Sequence, residues 1–166
     1  MPGIHHALII ESPIDTVYEA ICTQKGLSAW WTPDTTAKPA LNSIARFQFG
    51  PHYFKEMRVT ELNPSESVKW ECISGAGEWV GTAISFKLIP GDKKTLSSSY
   101  PEMNGQIEQQ LGDSATLLIF NHDKWKDNTL MLAECSYTWG KFLLSLKLFC
   151  ETGRGRPWPN QHRIEN

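Results

Sequence analysis

The groups in this chain that could bind a metal or move a proton are few and widely spaced. Of its five histidines, His5 and His6 are adjacent and point to opposite faces of a strand, while His52, His122 and His162 stand far apart. A zinc site needs three or four clustered ligands, so no metal is expected. The four cysteines, Cys22, Cys72, Cys135 and Cys150, form no C-x-x-C pair. Three of them have apolar neighbours and read as buried free thiols. A catalytic cysteine would want electropositive surroundings, which the sequence does not offer. There is no G-x-S-x-G elbow and no nucleotide-binding glycine pattern, and no cofactor is expected.

His122 is the strongest single candidate for acid–base work. It closes the run Thr116–His122, in which Leu118, Phe120 and His122 share one face of an alternating strand. Catalysis needs a second polar group converging on the same point. Glu56, Arg58, Glu78, Glu134 and Tyr137 are available, but no spacing forces any of them beside His122. The competing reading is a structural histidine, hydrogen-bonded to the backbone or to the last helix. The tryptophans Trp30, Trp31, Trp70, Trp79, Trp125 and Trp139 carry a similar ambiguity. Aromatics are ordinarily core, yet a cavity for an apolar guest is lined by the same residue types with a few polar groups among them.

The elements that must position these residues can be read in order. Ile4–Ile10 is a strand. Ser12-Pro13 opens a helix with Ser12 as N-cap, and Ile14, Val17, Tyr18 and Ile21 form its buried face. A second helix runs from about Lys25 to Trp31, and Pro33 and Pro39 bracket an irregular loop. Three strands follow: Ser43–Phe49, with Phe47 and Phe49; Lys55–Leu62, with Met57 and Val59; and Ser67–Ile73, with Val68, Trp70 and Cys72. Their short connections predict antiparallel neighbours.

Glu78–Ile89 and Thr116–His122 read as a further pair. One self-consistent register sets His122 opposite Thr82, Phe120 opposite Ile84 and Leu118 opposite Phe86, so that apolar faces apolar. The stretch Pro90–Ala115 between them is long for a hairpin loop and predicts a lid or a subunit contact. From Asp127 to Thr152 a long helix carries Trp139, Phe142, Leu143 and Leu146 at helical spacing, with Gly153 as its stop. Gly140 inside it marks a close approach to the sheet or a slight bend. Leu117 and Ile119 on the outer sheet face, with Leu144 and Leu148 on the helix, point to a homodimer contact or to packing under the long loop.

Composition limits the classes of function. At 166 residues the chain suits a single domain, residues 1–166 with 153–166 as a tail, that buries roughly two-thirds of its unfolded surface. A net charge of −2 and a pI near 6.2 offer no footprint for nucleic acid. Arg154, Arg156 and Arg163 read as part of a solvated tail. No apolar run approaches the length of a membrane span, and the N-terminal residues do not form a signal peptide. The expected location is cytoplasmic.

Several local words occur in a fixed order: Ser12-Pro13-x-x-x-Val17-Tyr18-x-Ala20-Ile21, Gly26-Leu27-x-x-Trp30-Trp31, Asn121-His122-x-x-Trp125 and Trp139-Gly140-x-x-Leu143-x-x-Leu146-Lys147. Together they resemble the START-like (SRPBCC) superfamily, and within it the bacterial homologues of the activator of the heat-shock protein 90 ATPase. The resemblance runs from about residue 4 to residue 159. It implies an α+β helix-grip fold, in which a curved antiparallel sheet wraps around the C-terminal helix and leaves an apolar cavity. It also implies a small hydrophobic ligand as partner. The alternatives it carries are an enzyme of cyclase, dehydratase or hydrolase type using His122, or a chaperone-regulating interaction module. The expected lining is Trp30, Phe47, Phe49, Met57, Val59, Trp70, Ile84, Phe86, Leu118, Phe120, His122, Trp139, Phe142, Leu143 and Leu146. The Pro90–Ala115 insertion and the apolar Leu117 and Ile119 depart from the superfamily pattern.

Overall fold

A computed structural model of the chain describes residues 1–107 and 114–164. Its strands are β1 (Ile4–Ile10), β2 (Thr35–Thr36), β3 (Ile44–Gln48), β4 (Phe54–Asn63), β5 (Ser67–Gly75), β6 (Ala83–Asp92) and β7 (Ser114–Asp123). The helices α1 (Ile14–Cys22) and α2 (Gln24–Trp30) follow β1, α3 (Lys93–Ser99) follows β6, and α4 (Leu130–Thr152) follows β7. The strands form one antiparallel sheet in the order β1-β7-β6-β5-β4-β3-β2. Register shifts between β4 and β5, at Glu56/Met57 and at Val59/Glu61, are the irregularities that bend and twist a sheet locally. The curved sheet grips α4, giving an α+β helix-grip fold. Among the described residues no helix is long and apolar enough to cross a membrane.

The long helix has a defined start and stop. Thr129 caps it by accepting the Leu132 backbone N–H at 3.2 Å, and its hydroxyl donates to Glu78 at 2.6 Å. Gly153 ends it at φ 85°, a left-handed conformation that a side chain would resist. Leu132, Cys135, Trp139, Phe142, Leu143 and Leu146 are buried along one side, and α4 packs on β1, α1 and α2. At about 1.5 Å per residue its 23 residues span roughly 35 Å. Among the described residues, and apart from the helix's own backbone, an added Cβ at Gly140 would meet only the His6 ring, at 3.9 Å. That is an ordinary contact, so no close approach to the sheet requires the glycine.

Three expectations are corrected in detail. Ser12 does not cap α1: Pro13 takes that position without a side-chain hydrogen bond, and the Ser12 hydroxyl donates instead to the Cys150 carbonyl at 3.3 Å. The capping residue nearby is Thr23, whose hydroxyl accepts the Gly26 N–H at the start of α2. Strand β6 begins at Ala83, because Gly77–Gly81 form a turn. The β6–β7 register is two residues away from the expected one, with Ile84 opposite His122, Phe86 opposite Phe120 and Leu88 opposite Leu118. Alternation with period two distinguishes the faces of a strand but not registers two residues apart. The observed pairing runs on to Asp92 opposite Ser114, which adds ladder bonds that the shorter reading lacked.

The insertion is folded onto the outer face of the sheet. Leu96 of α3 and Met103, which lies in a 3-10 helix (Pro101–Gln106), form a second core with Ile9, Ala115 and Leu117, and Ile119 packs against it. Helix α3 carries a capping box of Asp92 and Thr95. Lys93 reaches the buried Glu11 carboxylate at 2.9 Å. Leu117 and Ile119 are therefore covered by the chain's own insertion. The part of that insertion from 108 to 113 lies outside the described residues.

Candidate functional site

The main core is a stack of aromatic rings centred on the C-terminal end of α2. The Trp31 ring centroid lies 4.3 Å from that of Phe47, 5.1 Å from Trp139, 5.6 Å from Phe49 and 5.9 Å from Trp70. A helix end leaves carbonyls without partners, and here other segments satisfy them. Ser145 of α4 donates to the Trp30 carbonyl at 2.8 Å, and the Trp158 N–H donates to the Trp31 carbonyl at 2.8 Å. The Ser145 hydroxyl also accepts the Arg156 N–H at 2.6 Å. A Cβ on Gly155 would lie 2.5 Å from the Ala29 carbonyl oxygen, so the chain after α4 can follow this course only with glycine there. The residues read as a solvated tail are in this way pulled back over α2.

That return completes a cavity of about 470 Å³, within the usual range for small-molecule sites. Trp31, Phe49, Tyr53, Lys55 and Trp79 line one side, Met131, Glu134, Cys135, Thr138, Trp139 and Phe142 of α4 another, and Trp158 and Gln161 the third. Of the expected lining, Phe49, Trp139 and Phe142 are at this cavity. Trp30, Phe47, Met57, Val59, Trp70, Ile84, Phe86, Leu118, Phe120, His122 and Leu146 are buried in the packed core, and Leu143 faces a separate depression beside His6 and Lys147. The cavity sits toward one end of the grip because the aromatic stack fills the middle. Bulk is the physical reason: the two tryptophans that end α2 occupy space between sheet and helix that the sequence pattern leaves open.

His122 is fully enclosed and fully bonded. The Trp139 indole N–H donates to Nδ1 at 3.1 Å, and Nε2 lies 2.8 Å from the Thr82 hydroxyl, which itself donates to the Trp79 carbonyl at 2.6 Å. The Trp139 bond makes Nδ1 an acceptor, so the neutral ring carries its proton on Nε2 and passes that bond to Thr82. Burial, with the nearby Lys55 charge as the second cause, lowers its pKa from 6.5 to about 3. Such a ring has neither a free lone pair nor a proton to offer a guest, and it holds Trp79 and Trp139 in place instead. The other groups considered beside it, Glu56, Arg58, Glu78 and Tyr137, do not line the cavity; Glu134 does.

Lys55 was not singled out in the sequence, yet it is the most unusual polar group of the site. Its residue is 6% exposed, and its ammonium lies 4.0 Å from the ring centroid of Trp79, 4.4 Å from Phe49 and 4.5 Å from Tyr53. Cation–π contacts of this kind are worth roughly 2 kcal/mol when desolvated. Burial brings the Lys55 pKa from 10.5 down to about 8, with Cys135, Cys72 and Glu134 acting in the opposite direction. The signal was available: Lys55 shares the strand parity of the inward Met57 and Val59. Tyr53 is pushed up to about 12, chiefly by burial. The Cys135 thiol is raised by burial as well, and it accepts the Trp79 indole N–H. At the rim, Glu134 accepts the Thr138 hydroxyl at 2.6 Å, and the Gln161 Oε1 is buried without a hydrogen-bond partner. Among the described residues no group of three potential metal ligands forms a metal site.

The fold and cavity together define a START-like helix-grip protein. Within that class the fold is Aha1-like. The Aha1 dimer from Colwellia psychrerythraea, a solution structure, is 29% identical, with a TM-score of 0.73 over 93% of this chain and 100% of that one. Protein MLL2253 from Mesorhizobium loti has the same fold at 13% identity and a TM-score of 0.68, over 90% of this chain and 97% of that one. DynU16, from the dynemicin biosynthetic locus, shares it at 18% identity and a TM-score of 0.66, over 92% of this chain and 48% of that one. No protein-family model matches the chain, and no curated protein does.

Proposed function

We propose that the chain is a single helix-grip domain that binds a small hydrophobic molecule in the cavity between α4, the β3–β4 connection and the segment after α4. The observation that carries this reading is the aromatic-walled space of about 470 Å³, left open in a core otherwise filled by packed rings. Catalysis has less support, because His122 is consumed by Thr82 and Trp139, and His162 meets the cavity rim only through the Thr138 hydroxyl, at 3.2 Å.

The test is a thermal-shift screen of aromatic and aliphatic compounds, with tryptophan fluorescence as a second readout. A guest at a hundred times its Kd adds about 2.7 kcal/mol, which for a chain of this size raises the Tm by roughly 5–10 °C. Thr138→Trp, which fills the cavity from α4, should abolish the shift. Absence of any saturable binder in the screen would count against the reading.

We also infer a homodimer formed along the outer side of α4. Leu130, Tyr137 and Leu144 recur every seven residues and are 86%, 65% and 44% exposed. The similar Colwellia protein is a dimer.

A further inference from the structure

We propose that the guest carries an anionic group, a carboxylate in the simplest case, seated against the Lys55 ammonium. This rests on the cavity being a ligand site. The charge of Lys55 is held in place without being neutralised. Three ring faces surround it, and among the described residues no carboxylate lies within ion-pair distance, whereas Lys69, Lys93 and Lys147 each have an acidic partner. The ionisable groups facing it from neighbouring elements leave that charge in place. Tyr53, Cys72 on β5 and Cys135 on α4 are raised, which keeps them neutral, and His122 on β7 is lowered, which keeps it neutral too. Glu134 acts on Lys55 from the rim of the cavity, where it is exposed and accepts the Thr138 hydroxyl.

A mostly apolar cavity with one buried, unpaired cation selects an apolar body bearing one negative group. Burying a charge is costly unless it is paired, so such a guest relieves a cost that the free protein bears. It does so through a charge-assisted contact that a neutral analogue cannot make. The same geometry sets the pH dependence. A bound anion favours the ammonium, so the complex keeps a proton that the free protein loses above about pH 8. Affinity should then be level below that pH and fall above it by up to about tenfold per unit.

The experiment compares naphthoate with naphthalenemethanol by calorimetry on the full chain, near neutral pH and at about pH 9.5. Lys55→Met, Lys55→Arg and Thr138→Trp are measured beside the wild type. The wild type should bind naphthoate at least about tenfold tighter than the alcohol, and the preference should shrink at the higher pH. Lys55→Met should bind both alike. Lys55→Arg should keep the preference and lose its pH dependence, since guanidinium does not titrate there. Equal binding of the two probes by the wild type, or a preference that survives in Lys55→Met, overturns the anionic guest and leaves the cavity reading standing. Binding of neither probe, or binding indifferent to Thr138→Trp, removes the ligand site and this inference with it. If Lys55→Met fails to fold, the wild-type preference and its pH dependence decide alone.

Discussion

Protonating His122 requires giving up the Trp139 bond at Nδ1 and placing a charge among rings, beside the Lys55 ammonium. The unfolded chain has no such obstacle. Below pH 6.5 the unfolded state therefore takes up a proton that the folded state refuses until about pH 3, and stability falls as the pH drops through that window. One such group contributes up to about 1.4 kcal/mol per pH unit. Urea titrations between about pH 6.5 and about pH 4 should show this slope, and His122→Gln, itself less stable near neutral pH, should show a flatter one. An imidazole that titrates near its ordinary value in the folded protein, followed by NMR, would contradict the burial argument. At this scale the inward direction of His122 was legible, because Leu118, Phe120 and His122 alternate. Its partners were not, since Thr82 and Trp139 reach it from other elements. Lys55 was legible in the same way, and its chemical type concealed it: a lysine early in a strand reads as solvent-facing until the three rings around it are seen.

Two glycines show what the elements themselves require. At Gly26 an added Cβ would lie 2.5 Å from the Ala20 Cα and 2.6 Å from its carbonyl oxygen, in the crossing of α1 and α2. Both obstacles are backbone, so Gly26→Ala should cost about 1–3 kcal/mol or more through overpacking. At Gly140 the nearest atom outside the helix's own backbone is 3.9 Å away, and Gly140→Ala should gain roughly 0.4–1 kcal/mol from the stiffer unfolded chain. Chemical denaturation of the two variants separates these signs, and a destabilised Gly140→Ala would reveal a constraint on α4 that its surroundings do not show. Helices α1, α2 and α4 and most strands were legible as elements because hydrophobic spacing and turn residues mark them locally, whereas α3 lies in the stretch read as a loop. The β6–β7 register and the placement of the insertion were not. Sequence alternation is blind to a two-residue shift, and the apolar Leu96 and Met103 find their cover only when Ile9 and Leu117 are brought beneath them.

For the whole molecule, the exposed stripe of Leu130, Tyr137 and Leu144 on α4 makes the particle mass the deciding quantity. Sedimentation equilibrium should give twice the 18.8 kDa of one chain, and Tyr137→Glu combined with Leu144→Glu should return it to a monomer with its helix content intact. A wild type that stays monomeric at tens of micromolar would remove the inferred dimer. Stable dimers of this kind bury about 1,200–2,000 Å² in total, an area that a 23-residue helix can supply only together with neighbouring segments.

By itself the sequence determined the order of the main strands and helices, the inward face of most of the long strands and the Gly153 stop of α4 through local patterns, and its ordered words supplied the resemblance that implies the helix grip. The Phe49, Trp139 and Phe142 positions at the cavity were also within its reach. Only the tertiary structure decided where the open space lies. That depends on how the Trp30-Trp31 pair fills the middle of the grip and on the segment after α4 folding back through Ser145 and Trp31. Each is a sum of contacts between residues distant in the chain, and no periodicity along the chain encodes such a sum.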